Sequence, residues 1–155
     1  LIFWSWMPII GFDPIMVVTM KSINLIYQFW IHTEVINKMP KFFEAIFNTP
    51  SHHRVHHGSD VIYVDKNYAG IFIIWDKMFG TFQKEVQRPN YGLIHDIDTY
   101  NPLRISTHEW FSMFKDIKFK NTLFSNMKYI FEPPGWSHDN SRQTIEQIRQ
   151  KSINS

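Results

Sequence analysis

The sequence predicts an all-α fold, and three stretches carry that prediction. Asp13-Pro14 opens an apolar run that continues to Ile31. Thr49-Pro50 opens a shorter one, and residues 103 to 118 place apolar residues at helical spacing. An oxygen-bearing side chain before proline is a strong helix start. The oxygen accepts a free backbone N–H, and proline, with no N–H to leave unpaired, is pre-bent for the first helical position.

Composition limits what such a fold could do. At 155 residues the chain is long enough for one domain with a core. It is heavily aromatic, with fourteen Phe, six Trp and six Tyr, and residues 1 to 31 carry only Asp13 and Lys21 as charges. A net charge of +2, with no Lys/Arg block among the aromatics, argues against a nucleic-acid partner. There is no cysteine, so disulfides, thiolate metal sites and a cysteine nucleophile are excluded. Any metal must be held by His and carboxylates. The opening "LIFWSWMPII" has no initiator Met and no basic region, so it does not read as a signal peptide. It reads as the tail of an apolar segment, and the sequence is expected to be a fragment.

The elements follow in order. Residues 14 to 31 form an eighteen-residue helix rising about 27 Å, marginal against a bilayer core of about 30 Å. Lys21, Asn24 and Gln28 share one face, which His32 continues. A lipid-facing helix would not carry that stripe, so it should face a protein interior. An amphipathic helix of a soluble protein is the alternative. Tyr27 and Trp30 suit a membrane interface. Residues 38 to 47 read as a short amphipathic helix with Phe42, Phe43, Ile46 and Phe47 on its apolar side. Pro50 to His57 follow as two turns, with Gly58 as a stop. Residues 59 to 70 form a loop, 71 to 82 an apolar run ended by Gly80, and 84 to 102 a turn-rich stretch. Helices are expected over 103 to 118 and about 121 to 131, before a polar tail from Ser137.

The stretch "NTPSHHRVHHGSD" packs four of the eight histidines into six positions. On a helix His53, His56 and His57 lie at about 0°, −60° and +40°, converging on one face. Neutral imidazole is a common ligand for iron, copper and zinc. His52 falls about 100° away and reads as a supporting or surface residue. The alternative is a solvated histidine tract that binds metal only adventitiously. Arg54 follows His53 where the zinc-protease pattern requires Glu, and no phosphate loop or serine-nucleophile motif is present.

The ordered set "QFWIHTE", "NTPSHHRVHHG", "DKNYAG" and "WDKMFGTF", with "YGL" and "PPGW" later, resembles the fatty acid hydroxylase/sterol desaturase superfamily. Within it, the set is most similar to the alkylglycerol monooxygenase branch and its bacterial relatives. The resemblance spans roughly residues 1 to 140. It implies an integral membrane helix bundle around a histidine-ligated di-iron site, an oxidoreductase that uses O2 to hydroxylate lipid C–H bonds. In this branch the carbon next to an ether oxygen would be hydroxylated, and the product would fall apart to an aldehyde and a glycerol. The reductant would be tetrahydrobiopterin or, as in sterol and fatty-acyl hydroxylases and desaturases, an electron-donor protein of a cytochrome b5-type chain. The membrane would be the endoplasmic reticulum in a eukaryote or the inner membrane in a bacterium.

The resemblance also assigns residues. It makes His53, His56 and His57 iron ligands, and His32 a ligand or its neighbour. Asn67 would orient a ligand or water, or simply form a turn. Asp76 would hold a histidine N–H, or pair with Lys77 or Arg54. Trp75, beside Asp76, would line the site or the lipid slot. Earlier histidine boxes, typical of the superfamily, have no counterpart before His32. A di-iron site needs more imidazoles than the four this chain offers. His95, His108 and His138 are isolated and read as surface or structural. Residues 1 to 136 are therefore expected to be the C-terminal part of the hydroxylase domain and 137 to 155 a polar tail, with the fragment alone inactive or non-catalytic.

Overall fold

A computed structural model describes residues 4–93, 97–117, 122–133 and 135–154. The described residues are helical and contain no strand; Gly58 and Tyr91 meet only in an isolated antiparallel bridge. The chain divides into two compact units, Leu1–Tyr91 and Gly92–Ser155.

The first unit holds α1 (Trp6–Ile9), α2 (Pro14–Ile31), α3 (Lys41–Ile46), α4 (Pro50–His56) and α5 (Ile74–Phe79). Asp13 caps α2 as its residue type predicts, accepting from the Met16 N–H at 2.9 Å. Helix α2 is inside-out for a soluble protein. Lys21, Asn24 and Gln28 lie on its less exposed side, whereas Ile15, Ile26 and Phe29 are 77%, 72% and 83% exposed. The stripe packs where Gly70 passes: a Cβ there would clash with Asn24 Oδ1 and stand 3.0 Å from Gln28 Nε2. No helix among the described residues is long and apolar enough to cross a membrane.

Helix α3 starts at Lys41, later than the expected Lys38. Pro40 takes the N-cap position itself, and a proline disfavours a helical conformation in the residue before it. Helix α4 ends on His57 as C-cap, and Gly58 follows without a left-handed φ. What Gly58 provides is space, because a Cβ would press on Tyr63 Cβ at 3.0 Å. Gly80, expected only to end the apolar run, is the C-cap of helix α5 at φ +75°.

The core is small and rich in polar groups. Ile31, Val55, Tyr63 and Ile73 are fully buried, and Asn48, Thr49, Asn67 and Asp76 are buried with them. The polar members are tied to backbone. Tyr63 Oη donates to Gln87 O (2.8 Å) and accepts from the N–H of Val86 (3.0 Å) and Gln87 (2.9 Å). The rings of Trp30, Phe43, Phe47 and Phe72 form a chain of aromatic contacts beside it.

The second unit holds α6 (Pro102–Asp116), α7 (Leu123–Phe131) and α8 (Ile145–Asn154). Asn101 and Thr122 cap α6 and α7. Residues beyond Ser137 are tied back by an Arg142–Asp116 ion pair and by a Tyr129 Oη–His138 Nδ1 bond of 2.7 Å.

Candidate metal centre

Helix α4 is held by its N-cap and by two asparagines, Asn48 and Asn67. At its start Thr49 caps the His52 N–H, and Asn48 reaches across the unit. The Asn48 N–H donates to Ile71 O at 2.6 Å, its amide to Ala69 O at 2.5 Å, and its carbonyl accepts from Tyr27 Oη of α2 at 2.7 Å. Lower down, the Asn67 amide donates to His52 O (3.0 Å) and Gln83 O (2.8 Å), and its Oδ1 accepts the Gln83 N–H (2.9 Å). Asn67 does this from a left-handed backbone, φ +54°, a conformation Asn tolerates better than most residues.

On that frame three imidazoles converge. His53 Nε2 lies 2.8 Å from His32 Nε2, and His57 Nε2 lies 3.1 Å from each of them. His53 is buried, whereas His32 and His57 are exposed. The His32 tautomer follows from its partner. Its Nδ1 is 2.6 Å from Gln28 O, an acceptor only, so Nδ1 carries the proton and Nε2 a free lone pair. Gln28 O is available because the last turn of α2 tightens, with the His32 N–H donating to Phe29 O instead.

Burial and crowding disfavour the charged forms of His53 and His57. Burial, then the neighbouring His32, His57 and His56, push the His53 pKa down to about 3. Burial, then His56 and His32, also lower that of His57. Three nitrogens this close cannot all be satisfied by one another, since each neutral ring offers either a proton or a lone pair at Nε2. A cation satisfies them all. Metal–imidazole bonds of about 2.0–2.1 Å meeting at right angles separate ligand nitrogens by about 2.9 Å. The observed triangle fits that spacing, and its all-imidazole donor set suits iron, zinc or copper.

The remaining expected residues fall into two groups. His56 joins the cluster by its ring, stacked on His53 with centroids 5.5 Å apart, but its nitrogens are not in the triangle. His52 is buried edge-on to Phe82, and burial lowers its pKa. Trp75 is half exposed on α5. Asp76 holds no histidine and pairs with neither Lys77 nor Arg54. Its carboxylate accepts the N–H of Tyr68 (2.8 Å) and Ala69 (2.9 Å) and the Thr81 hydroxyl (2.5 Å), closing the loop before α5. His108 bonds within α6, to Ile105 O at 2.9 Å, and His138 bonds Tyr129. His95 lies outside the described residues.

Sequence reasoning overlooked Arg54 and Glu85 as a pair. They form a largely buried, two-point ion pair at 2.8 and 2.6 Å, thirty-one residues apart. No periodicity could have joined them. The only signal was an arginine inside the histidine motif, on a helix otherwise turned inward.

The fatty acid hydroxylase family model matches residues 1–81. Human alkylglycerol monooxygenase is 47% identical over 139 residues, covering 87% of this chain and 31% of the relative. The Xenopus tropicalis protein of the same name is 48% identical over 117 residues, 73% of this chain and 25% of the relative. The Danio rerio one is 44% identical over 114 residues, 74% and 25% respectively. The chain thus spans a third or less of the length of these relatives. No solved structure matches.

Proposed function

The chain belongs to the fatty acid hydroxylase family, and from that premise we propose that it carries part of the iron centre of a membrane-bound monooxygenase acting on ether lipids of the alkylglycerol type. The observation that carries this reading is the convergence of the His32, His53 and His57 Nε2 atoms within 3.1 Å of one another. His56, whose ring stacks on His53, is assigned to a second ion in this reading. Iron bound there supplies activation of O2 and hydroxylation of a lipid C–H bond. A two-iron centre takes more imidazoles than these four, so turnover is assigned to a whole enzyme and not to this stretch alone.

The chain's own residues prepare the site. The Gln28 carbonyl orients His32 and directs its lone pair to the cluster. Burial keeps His53 neutral and ready to ligate at physiological pH. The outward apolar side of α2, with Ile15, Ile26 and Phe29, supports a lipid environment, in an endoplasmic reticulum or bacterial inner membrane. The reductant is tetrahydrobiopterin or a cytochrome b5-type donor protein.

A second reading, a fatty-acyl or sterol hydroxylase or desaturase, is favoured by the fatty acid hydroxylase model itself. Product analysis decides. The whole protein, loaded with iron and supplied with O2 and either reductant, is given alkylglycerol, fatty acid and sterol in parallel. Aldehyde release from alkylglycerol is expected. A hydroxylated or desaturated acyl chain or sterol instead establishes the second reading. If the protein binds no iron and oxidises none of the three, both readings fall.

A further inference from the structure

We propose that Arg54 is the positioning residue that brings His32 to the imidazoles of α4. The metal-binding half of this inference rests on the reading above; the geometric half does not. His32 is the one member of the triangle that lies outside α4 and its C-cap, and irregular chain follows it from Thr33 to Pro40. That chain has backbone carbonyls which no helix satisfies. Arg54 takes three of them: Nη1 donates to Thr33 O (3.2 Å) and Ile36 O (2.9 Å), and Nη2 to Asn37 O (2.7 Å). Its Nε and the second Nη2 hydrogen go to the Glu85 carboxylate. All five N–H donors of the guanidinium are therefore used.

Arg54 also directly follows His53, about 100° further round α4. Residues 32–37 thus grip α4 at two consecutive side chains, His32 against His53 and the carbonyls against Arg54. Fixing the segment at Arg54 fixes where His32 can reach. Glu85 neutralises the guanidinium and holds its plane. Lysine, with three donors on a flexible stem, cannot reproduce a planar five-point contact.

The test uses the whole chain, with Co2+ as a visibly absorbing probe, in wild type, Arg54→Lys and Glu85→Gln, each also in a His32→Ala background. Ring-to-ring nuclear Overhauser contacts among the histidines are read without metal. Arg54→Lys is expected to weaken Co2+ binding about tenfold or more. In the His32→Ala background it should add less than about twofold, because the residue it acts through is gone. In metal-free Arg54→Lys the His32–His53 contact should vanish while the His53–His57 contact persists. Glu85→Gln should follow the same pattern more weakly, and it carries the decision if Arg54→Lys does not fold. Equal losses in both backgrounds, unchanged ring contacts, or loss of the His53–His57 contact as well, would overturn the proposal. If wild type takes no Co2+, the metal reading fails, and the ring contacts alone decide whether Arg54 positions His32.

Discussion

An imidazole ligates a metal only when neutral, so the protonation of His53 matters before any metal arrives. Free histidine titrates near 6.5, whereas burial and three neighbouring imidazoles hold His53 near 3. Between those values the unfolded chain binds a proton that the folded chain refuses. Stability of the metal-free protein should therefore be fullest above about pH 6.5 and fall as pH drops toward 3, by up to about 1.4 kcal/mol per pH unit. Urea unfolding at pH 7.5, 5.5 and 4.5 measures the slope, and His53→Gln should flatten it. A slope that survives His53→Gln intact would place its origin elsewhere. The proposed ligand set also predicts an asymmetry among the histidines. His53→Ala should cut bound metal to under about a tenth, while His138→Ala, which loses only its bond to Tyr129, should leave binding within about twofold. Metal retained at full stoichiometry by His53→Ala would overturn the assignment.

At the scale of elements, the parts readable in the sequence are those governed by local chemistry. Asp13-Pro14 and Thr49-Pro50 announce α2 and α4 because a cap and a proline act within one turn. The stripe Lys21–Asn24–Gln28 lies on the less exposed side of α2 because a helix repeats every 3.6 residues, and His32 continues that stripe to the site. What could not be read is what crosses between elements. Asn48 ties Tyr27 to the chain at residues 69–71, and Arg54 ties the 33–37 segment to Glu85; both are contacts at long sequence separation. Asp76 shows the same limit from the other side. Its place in the motif invited a partnership with histidine, yet its environment is two backbone N–H groups and a hydroxyl. Asp76→Asn should therefore destabilise the fold by about 1–3 kcal/mol, since an amide N–H must then face a donor. Metal affinity of the folded fraction should hardly change. A large loss of affinity with no change in melting temperature would make Asp76 part of the metal site.

For the molecule as a whole, the placement of α2 is the feature a water-soluble fold would not choose. Lys21, Asn24 and Gln28 are turned to its less exposed side, and Ile15, Ile26 and Phe29 stand at 77%, 72% and 83% exposure. Each such side chain is worth about 1.5–3 kcal/mol when removed from water, so leaving the row hydrated is costly. No described helix is long and apolar enough to cross a bilayer, and this face is expected to lie against lipid tails or apolar helices seated among them. The chain should sediment with membranes and need detergent for release. Ile26→Glu combined with Phe29→Glu should shift it toward the soluble fraction. Neither residue is among the imidazoles that converge, so Co2+ binding in detergent should stay within about twofold of wild type. If the double variant still sediments fully with membranes, another surface holds the chain there. If it becomes soluble but loses Co2+, the apolar face and the histidine cluster are coupled through α2, and the orientation of His32 depends on the lipid side of its own helix.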